Sequence, residues 1–358
     1  LIPHSRPFLG EAERAAVVAV IESGHLSGGW EVSARLEARL AAMSERDGGV
    51  VVSSGSTALE LALRAVGATG TRVVVPAYAC LSIERAVRRA GAIPELIDVD
   101  ESDLGLPLGW SSVAPAAVVV HQFGIPSGAL AEVASVDLAV EDFTTVLGGE
   151  VGGHAPGSLG NLAVVSLAAT KMVCAGEGGA VVGGNAAIAE LRRWTDPESD
   201  VDVDLPVPNA KMGELAAAVA LAQLDRLDDF LARRRAIAEY YQVTASSLGL
   251  DVKRAREGDR GTWWRFLVGL PASVCVDEVV AAARREGVAI ARPVPSRHWA
   301  GRGHFPAADR LHASLISIPI YPGLVDTEVE RVVDVWRNVL PRTRHAPGHL
   351  PTAVAHHD

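Results

Sequence analysis

The stretch Val50-Val51-Val52-Ser53-Ser54-Gly55-Ser56-Thr57-Ala58-Leu59 passes from a β-branched run, through a turn rich in hydroxyls, into a helical pattern. Three valines without polar alternation suit a strand buried on both faces of a mostly parallel sheet. A helix expected over Ser56–Val66 follows directly, and a strand leading straight into a helix is the unit of an α/β protein. Exposed N–H groups at that helix start, at the positive end of its dipole, suit a phosphate. The same residues also read as an ordinary N-capped helix start.

Outward from this stretch the pattern repeats. Amphipathic helices are expected over Glu11–Ser23, ended by Gly24, and over Glu31–Met43. Arg72–Pro76 reads as a strand before a helix at Leu81–Ala90, and Pro94–Asp98, Ala116–His121, Leu138–Glu141 and Leu162–Leu167 read as further strands. A long helical pattern from Gly213 to about Tyr241 bridges into a second unit. There Thr262–Leu270, Val276–Glu286, Val288–Ala291 and Thr327–Leu340 give a smaller α+β set. The expected organisation is a large α/β domain over 1–240 and a small C-terminal α+β domain over 241–341. A tail over 342–358, rich in Pro, His and Thr, is expected to be disordered.

A net charge of −10 argues against nucleic acid or an acidic membrane surface as the main partner. No uncharged apolar run is long enough to span a membrane, and Leu1-Ile2-Pro3-His4 lacks signal-peptide character. Cys80, Cys174 and Cys275 are too scattered for a disulfide framework or a metal cluster, so a reducing cytoplasm and no metal are expected.

The chain has only three lysines, Lys171, Lys211 and Lys253. Lys171 closes Val164-Val165-Ser166-Leu167-Ala168-Ala169-Thr170-Lys171, just before Gly176-Glu177-Gly178-Gly179. It reads as a surface lysine on a loop or as the amine that binds a carbonyl cofactor as a Schiff base. Leu138-Ala139-Val140-Glu141-Asp142 ends a strand in two carboxylates that alternation points opposite ways, so they form no acid/base pair. One of them suits a buried cation, or caps a helix. His121, at another strand end, faces the same pocket or is structural. Phosphate turn, carboxylate and lysine, in that order, match pyridoxal 5′-phosphate, with its phosphate, ring nitrogen and aldehyde. No phosphate-loop Gly-Lys-Ser/Thr occurs, and the glycines of 148–153 make no dinucleotide fingerprint.

Over roughly residues 2–340 the chain resembles the DegT/DnrJ/StrS sugar-aminotransferase family of fold-type-I pyridoxal-phosphate enzymes. The resemblance is carried by Ser54–Leu59, Ala90-Gly91-Ala92-Ile93-Pro94 with Asp98-Val99-Asp100, and Val120-His121-Gln122-Phe123-Gly124. Glu141-Asp142, Ser166…Lys171 with Gly176–Gly179, Asn209-Ala210-Lys211-Met212…Gln223-Leu224 and Ser317–Pro322 carry it further. It implies a seven-stranded, mostly parallel sheet flanked by helices and a smaller C-terminal α+β domain. It implies Lys171 as the Schiff-base lysine and proton carrier, and Asp142 as partner of the pyridine nitrogen. Gly55, Ser56 and Ser166 would hold the phosphate. Asn209 would reach the phosphate of the other subunit, which implies a homodimer with shared sites.

Some positions depart from the family pattern. Cys80 stands where many members stack an aromatic on the cofactor, with Tyr78 two residues earlier. Thr145 stands where Gln or His is usual, with shorter reach to the ring oxygen. Asn161, Lys211 and Arg292-Pro293-Val294-Pro295 replace a common Asp, an Arg and a His-Tyr-x-Pro-like segment. The resemblance implies transfer of an amino group from an amino acid, glutamate or glutamine, to a keto-sugar or similar keto compound. Elimination or racemisation on the same scaffold, and a non-catalytic binding protein, are the other readings.

Overall fold

The computed structural model describes residues 1–196 and 209–342. The expected tail over 342–358 lies outside the described residues, apart from its first. Two helices open the chain, α1 (Glu11–Ser23) and α2 (Glu31–Met43). There follow β1 (Gly48–Val52), α3 (Gly55–Ala65), β2 (Arg72–Pro76), α4 (Leu81–Arg89), β3 (Ile93–Ile97), β4 (Ala116–Val120), β5 (Leu138–Asp142), β6 (Leu162–Ser166) and β7 (Gly179–Gly183). Then come α5 (Asn185–Thr195), α6 (Glu214–Asp225), α7 (Leu227–Ser247), β8 (Asp251–Lys253) and β9 (Phe266–Gly269). The chain closes with α8 (Val276–Arg285), α9 (Pro306–Ser314), β10 (Leu315–Ile318) and α10 (Asp326–Arg342).

The first seven strands form one sheet in the order β1-β7-β6-β5-β4-β2-β3. β2, β3, β4, β5 and β6 run parallel, and β7 is antiparallel to both of its neighbours. The apolar runs do bury both faces. Val118 and Val120 pack with α3 and α4, while Ala117 and Val119 pack with Leu106, Trp110 and Leu130 on the other side. β3, at the edge, is the half-exposed exception and accommodates Pro94, which lacks an N–H for a further neighbour. β8, β9 and β10 form a second, antiparallel sheet, order β10-β9-β8. Its core is Phe266, Val268, Ile316 and Ile318 against Val279, Tyr241 and Trp336.

Several features differ from the sequence reading. β7 was not read as a strand, because its valines are few and glycines flank them. Close packing demands those glycines: a Cβ on Gly179 would stand 2.7 Å from Gly55 N. The long helix expected from Gly213 is two helices. Arg226 breaks it (φ −107°, ψ 5°) where its guanidinium binds Glu13 at 2.7 Å. β8, α9 and β10 were not read as elements, and Val288–Ala291, read as one, makes only isolated bridges to Ile2 and Ser317. The proposed division between residues 240 and 241 falls inside α7.

Candidate active site

Beyond the carboxyl ends of β4, β5 and β6 lies a cavity of about 480 Å³, where open α/β sheets collect their ligands. Gly55, Ser56, Cys80, Asp142, Thr145, Ser166 and Lys171 all line it. Asn209 does not: it is exposed, with its Oδ1 taken by the Lys211 N–H at 3.4 Å. A second cavity, of about 660 Å³, between α2 and α5, holds the Glu37–Arg192 ion pair and no nucleophile.

One end of the first cavity is the start of α3. Ser54 is its N-cap, taking the Thr57 N–H at 3.1 Å. The N–H groups of Gly55 and Ser56 belong to a first turn that has no intrahelical acceptors. Gly55 lies against Ser166 so closely that a Cβ would fall 2.5 Å from the serine's Cβ. Two hydroxyls and a helix N-terminus thus converge, the donor set that a phosphate dianion requires.

At β5 the two adjacent carboxylates part as alternation requires. Glu141 is fully buried and accepts from His121 Nε2 at 3.1 Å and from the N–H groups of Gly157, Leu159 and Gly160. Burial opposes its charge. The bonds from His121 and the backbone outweigh that and hold the carboxyl below its ordinary range. His121 Nδ1 accepts from the Ser127 N–H at 2.9 Å, so its proton sits on Nε2 and the ring is neutral. Asp142 turns instead into the cavity, with Oδ1 accepting from the Thr144 N–H at 3.1 Å. Thr144 Oγ1 accepts in turn from the Ser166 N–H at 2.9 Å and so ties β5 to β6.

Lys171 sits on the connection between β6 and β7, a loop closed by Ala169 N–H to Gly176 O and Ala175 N–H to Leu167 O. Gly176 and Gly178 take positive φ there, which a side chain would resist. The ammonium has no carboxylate within ion-pair distance among the described residues. Burial lowers its pKa; Asp142 and Cys80 pull it back up, and Arg265 pushes it down again. A lysine so placed gives up its proton more readily than one on the surface, as a nucleophilic amine must.

Trp264 was missed from sequence. Its ring lies 5.0 Å from Lys171 Nζ, and its Nε1–H donates to Thr170 O at 2.9 Å. The segment carrying it is pinned to the sheet by Thr262 N–H to Gly124 O, Arg265 N–H to Phe123 O, and Thr262 Oγ1–H to Thr145 O. The tandem Trp263-Trp264 was the only signal, and nothing local says which ring turns inward. His298 also lines the cavity and donates from Nε2 to Ala79 O at 3.0 Å, beside Cys80. Tyr78 does not replace the aromatic that Cys80 lacks. Its ring packs in the core between Phe123 and Trp299. Thr145 lines the wall, but its hydroxyl proton goes to His121 O at 2.8 Å while its oxygen accepts from the Gly124 N–H. It therefore has no proton to offer a ring oxygen.

Lys171, Asp142 and the N-terminus of α3 share one cavity of this sheet, an arrangement that suits a pyridoxal-phosphate enzyme of fold type I. The chain belongs to the DegT/DnrJ/EryC1/StrS aminotransferase family, whose model matches residues 7–337. It is an aminotransferase that depends on pyridoxal 5′-phosphate. It is similar to the UDP-N-acetyl-3-dehydro-α-D-glucosamine 3-aminotransferase of Acidithiobacillus ferrooxidans, 29% identical over 85% of this chain and 88% of the relative. It is similar also to the GDP-perosamine synthase of Vibrio cholerae, 25% identical over 94% of this chain and 99% of that protein. Among solved structures, the aminotransferase TlmJ of Streptoalloteichus hindustanus superposes with a TM-score of 0.87 at 27% identity, covering 96% of this chain and 99% of the other.

Proposed function

We propose that this aminotransferase moves the amino group of an amino acid, glutamate or glutamine, to a keto-sugar carried on a nucleotide, in polysaccharide or secondary-metabolite biosynthesis. The observation that carries the site assignment is the half-buried Lys171, without an ion-pair partner among the described residues, sharing one cavity with Asp142 and the α3 N-terminus. The names of the two relatives above each carry a nucleotide-linked sugar, as substrate in one and as product in the other, which supports the acceptor class.

In this reading Gly55 and Ser56 hold the phosphate through N–H groups and a hydroxyl, and Ser166 adds a second hydroxyl. Asp142 would face the ring nitrogen and hold it protonated, since an opposite charge favours the charged form. Bound pyridoxal phosphate supplies an aldehyde for the donor's amine and a ring that accepts the electron pair left on Cα. Lys171 Nζ takes the Cα proton of the donor and later returns it. Trp264 and His298 keep water from that proton's path. Cys80 and Thr145 contribute wall rather than stacking area or a donated proton.

We also read the enzyme as a cytoplasmic homodimer whose chain divides near residue 240. Exposed Leu9, Val18, Ile21, Leu26 and Trp30 on and around α1 support a second copy there. Exposed Asn209 suits a reach into the partner's phosphate site. Three free cysteines support a reducing compartment.

The test is to load the protein with pyridoxal phosphate, add glutamate, glutamine or alanine singly, and follow the cofactor spectrum. Conversion to the pyridoxamine form by a donor is the expected result. A bound cofactor that no amino acid converts would overturn transamination.

A further inference from the structure

Pro293, Val294, Pro295, Ser296 and His298 supply one wall of the cavity from a single stretch of chain. Its two prolines have no N–H to give, and among the described residues no helix or strand forms between α8 and α9. Regular backbone bonding therefore holds little of this wall, and side chains must fix it.

They converge on Glu84, in the first turn of α4. Its side chain is only 6% exposed, and its carboxylate takes a two-pronged bond from Arg302, Nη1 to Oε2 at 2.7 Å and Nη2 to Oε1 at 2.9 Å. Arg302 is tied back to the wall by its N–H to Trp299 O and by Nη1 to His298 O. His298 Nδ1 stands 3.7 Å from Glu84 Oε2, while its Nε2–H donates to Ala79 O, just before α4. The bonds from Arg302 first, and then those from Arg88, outweigh burial and hold the Glu84 carboxyl below its ordinary range. Arg88 belongs to α4 itself, four residues on, and bonds Oε1 at 2.9 Å. Half-buried Asp98 also crosses to this part of the chain, but it accepts the N–H groups of Ala307 and Ala308 and so holds α9 rather than the wall.

We propose that Glu84 is a positioning residue for substrate binding: through Arg302 and His298 it holds the 293–298 wall against the start of α4, and so sets how tightly substrate is held without touching it. This rests on reading the cavity as the site of transamination. A buried, two-pronged Arg–carboxylate bond fixes direction as well as distance, which suits a wall that lacks regular backbone bonding. Removing either partner frees the wall and strands the other charge. The α3 N-terminus, Asp142 and Lys171 belong to the large sheet and its connections, so cofactor binding does not depend on this clamp.

The test uses the pyridoxal-phosphate holoenzyme and whichever of glutamate, glutamine and alanine converts its cofactor spectrum fastest. Conversion is followed against donor concentration, and hydrogen exchange of the 293–302 amides is measured on the same preparations. Glu84→Gln and Arg302→Met should each raise the half-saturating donor concentration roughly 10-fold, the usual weight of a charged hydrogen bond. The limiting rate should change far less, and the wall amides should exchange faster. The double variant should do no more than the stronger single one, because both remove one clamp. Glu84→Asp, which keeps the charge, should recover part of the loss. Arg88→Met takes the other cation from Glu84 and leaves the bond to the wall, so it should move neither donor response nor wall exchange. If Glu84→Gln does not fold, Arg302→Met decides, since the Arg302 side chain is 34% exposed. Unchanged half-saturation in Glu84→Gln and Arg302→Met overturns the proposal. So does an equal effect of Arg88→Met, or a fall in limiting rate alone. Where no amino acid converts the cofactor, faster wall exchange in the two variants keeps the clamp and rejects transamination, and unchanged exchange rejects the clamp as well.

Discussion

Lys171 Nζ lies 5.0 Å from the centre of the Trp264 ring, and Trp264 is locked there by its own bond to the carbonyl of Thr170, the residue before the lysine. A lysine from the large sheet and an indole from the approach to the small one thus make a single wall, dry on one side and open to the cavity on the other.

The first prediction concerns that lysine in the cofactor-free protein. Its folded pKa lies below the unfolded value, so between the two the unfolded chain binds more protons and stability rises with pH. Lys171→Met should therefore unfold at a higher temperature than wild type at neutral pH, with the gap closing as pH passes about 10.4, the ordinary lysine value. Thermal melts across that range check it; a gap that does not depend on pH refutes it. With cofactor, the variant should lose at least about 10³-fold in activity and hold no borohydride-reducible adduct.

Gly55→Ala puts a methyl group into Ser166. We expect a stability loss of about 1–3 kcal/mol, the usual cost of overpacking, and weaker cofactor retention. Adding Ser166→Gly should restore stability but not the affinity for cofactor, because the second hydroxyl is gone. Denaturant melts and cofactor titrations separate the two effects.

Glu141→Gln tests the buried partner of His121. The glutamine amide would meet at least one N–H that the carboxylate now accepts, so a loss of about 1–3 kcal/mol is expected at pH 7, the cost of an unsatisfied buried donor. The folded pKa of Glu141 is depressed, so its contribution is present above the unfolded carboxyl value and lost as pH falls through the folded one. Wild type and variant should therefore converge in acid. Parallel stability curves down to the acid transition would contradict the assignment.

Asn209→Ala and Lys171→Met should each be nearly inactive alone. Mixed, refolded and reassembled, they should regain up to about a quarter of wild-type activity, because a mixed dimer holds one site with an intact lysine and an intact asparagine from its neighbour. Mixtures as inactive as their parts would place Asn209 outside the partner's site.

Much of the site was legible because its residues sit where strands end. Asp142 and Glu141 part to opposite faces by alternation alone, and Gly55 follows Val52 through a turn whose chemistry is local. Trp264 and His298 escaped for a physical reason. They come from the segments around β9 and α9, more than ninety residues beyond Lys171, and Trp264 reaches the cavity wall only because Gly124 admits the 262–264 loop. A Cβ on that glycine would stand 2.6 Å from Trp264 N.

By itself the sequence determined the buried parallel strands and the order along the chain of the Ser54–Ser56 turn, the paired carboxylates and Lys171, while the family was legible as a resemblance of motifs. The strands and the turn rest on periodicity and turn chemistry that act within a few residues. Only the tertiary structure decided which carboxylate is buried with His121, that the proton of Thr145 is already used, and which indole lies against Lys171. Those outcomes depend on distances between elements far apart in the chain, which packing sets and local pattern does not record.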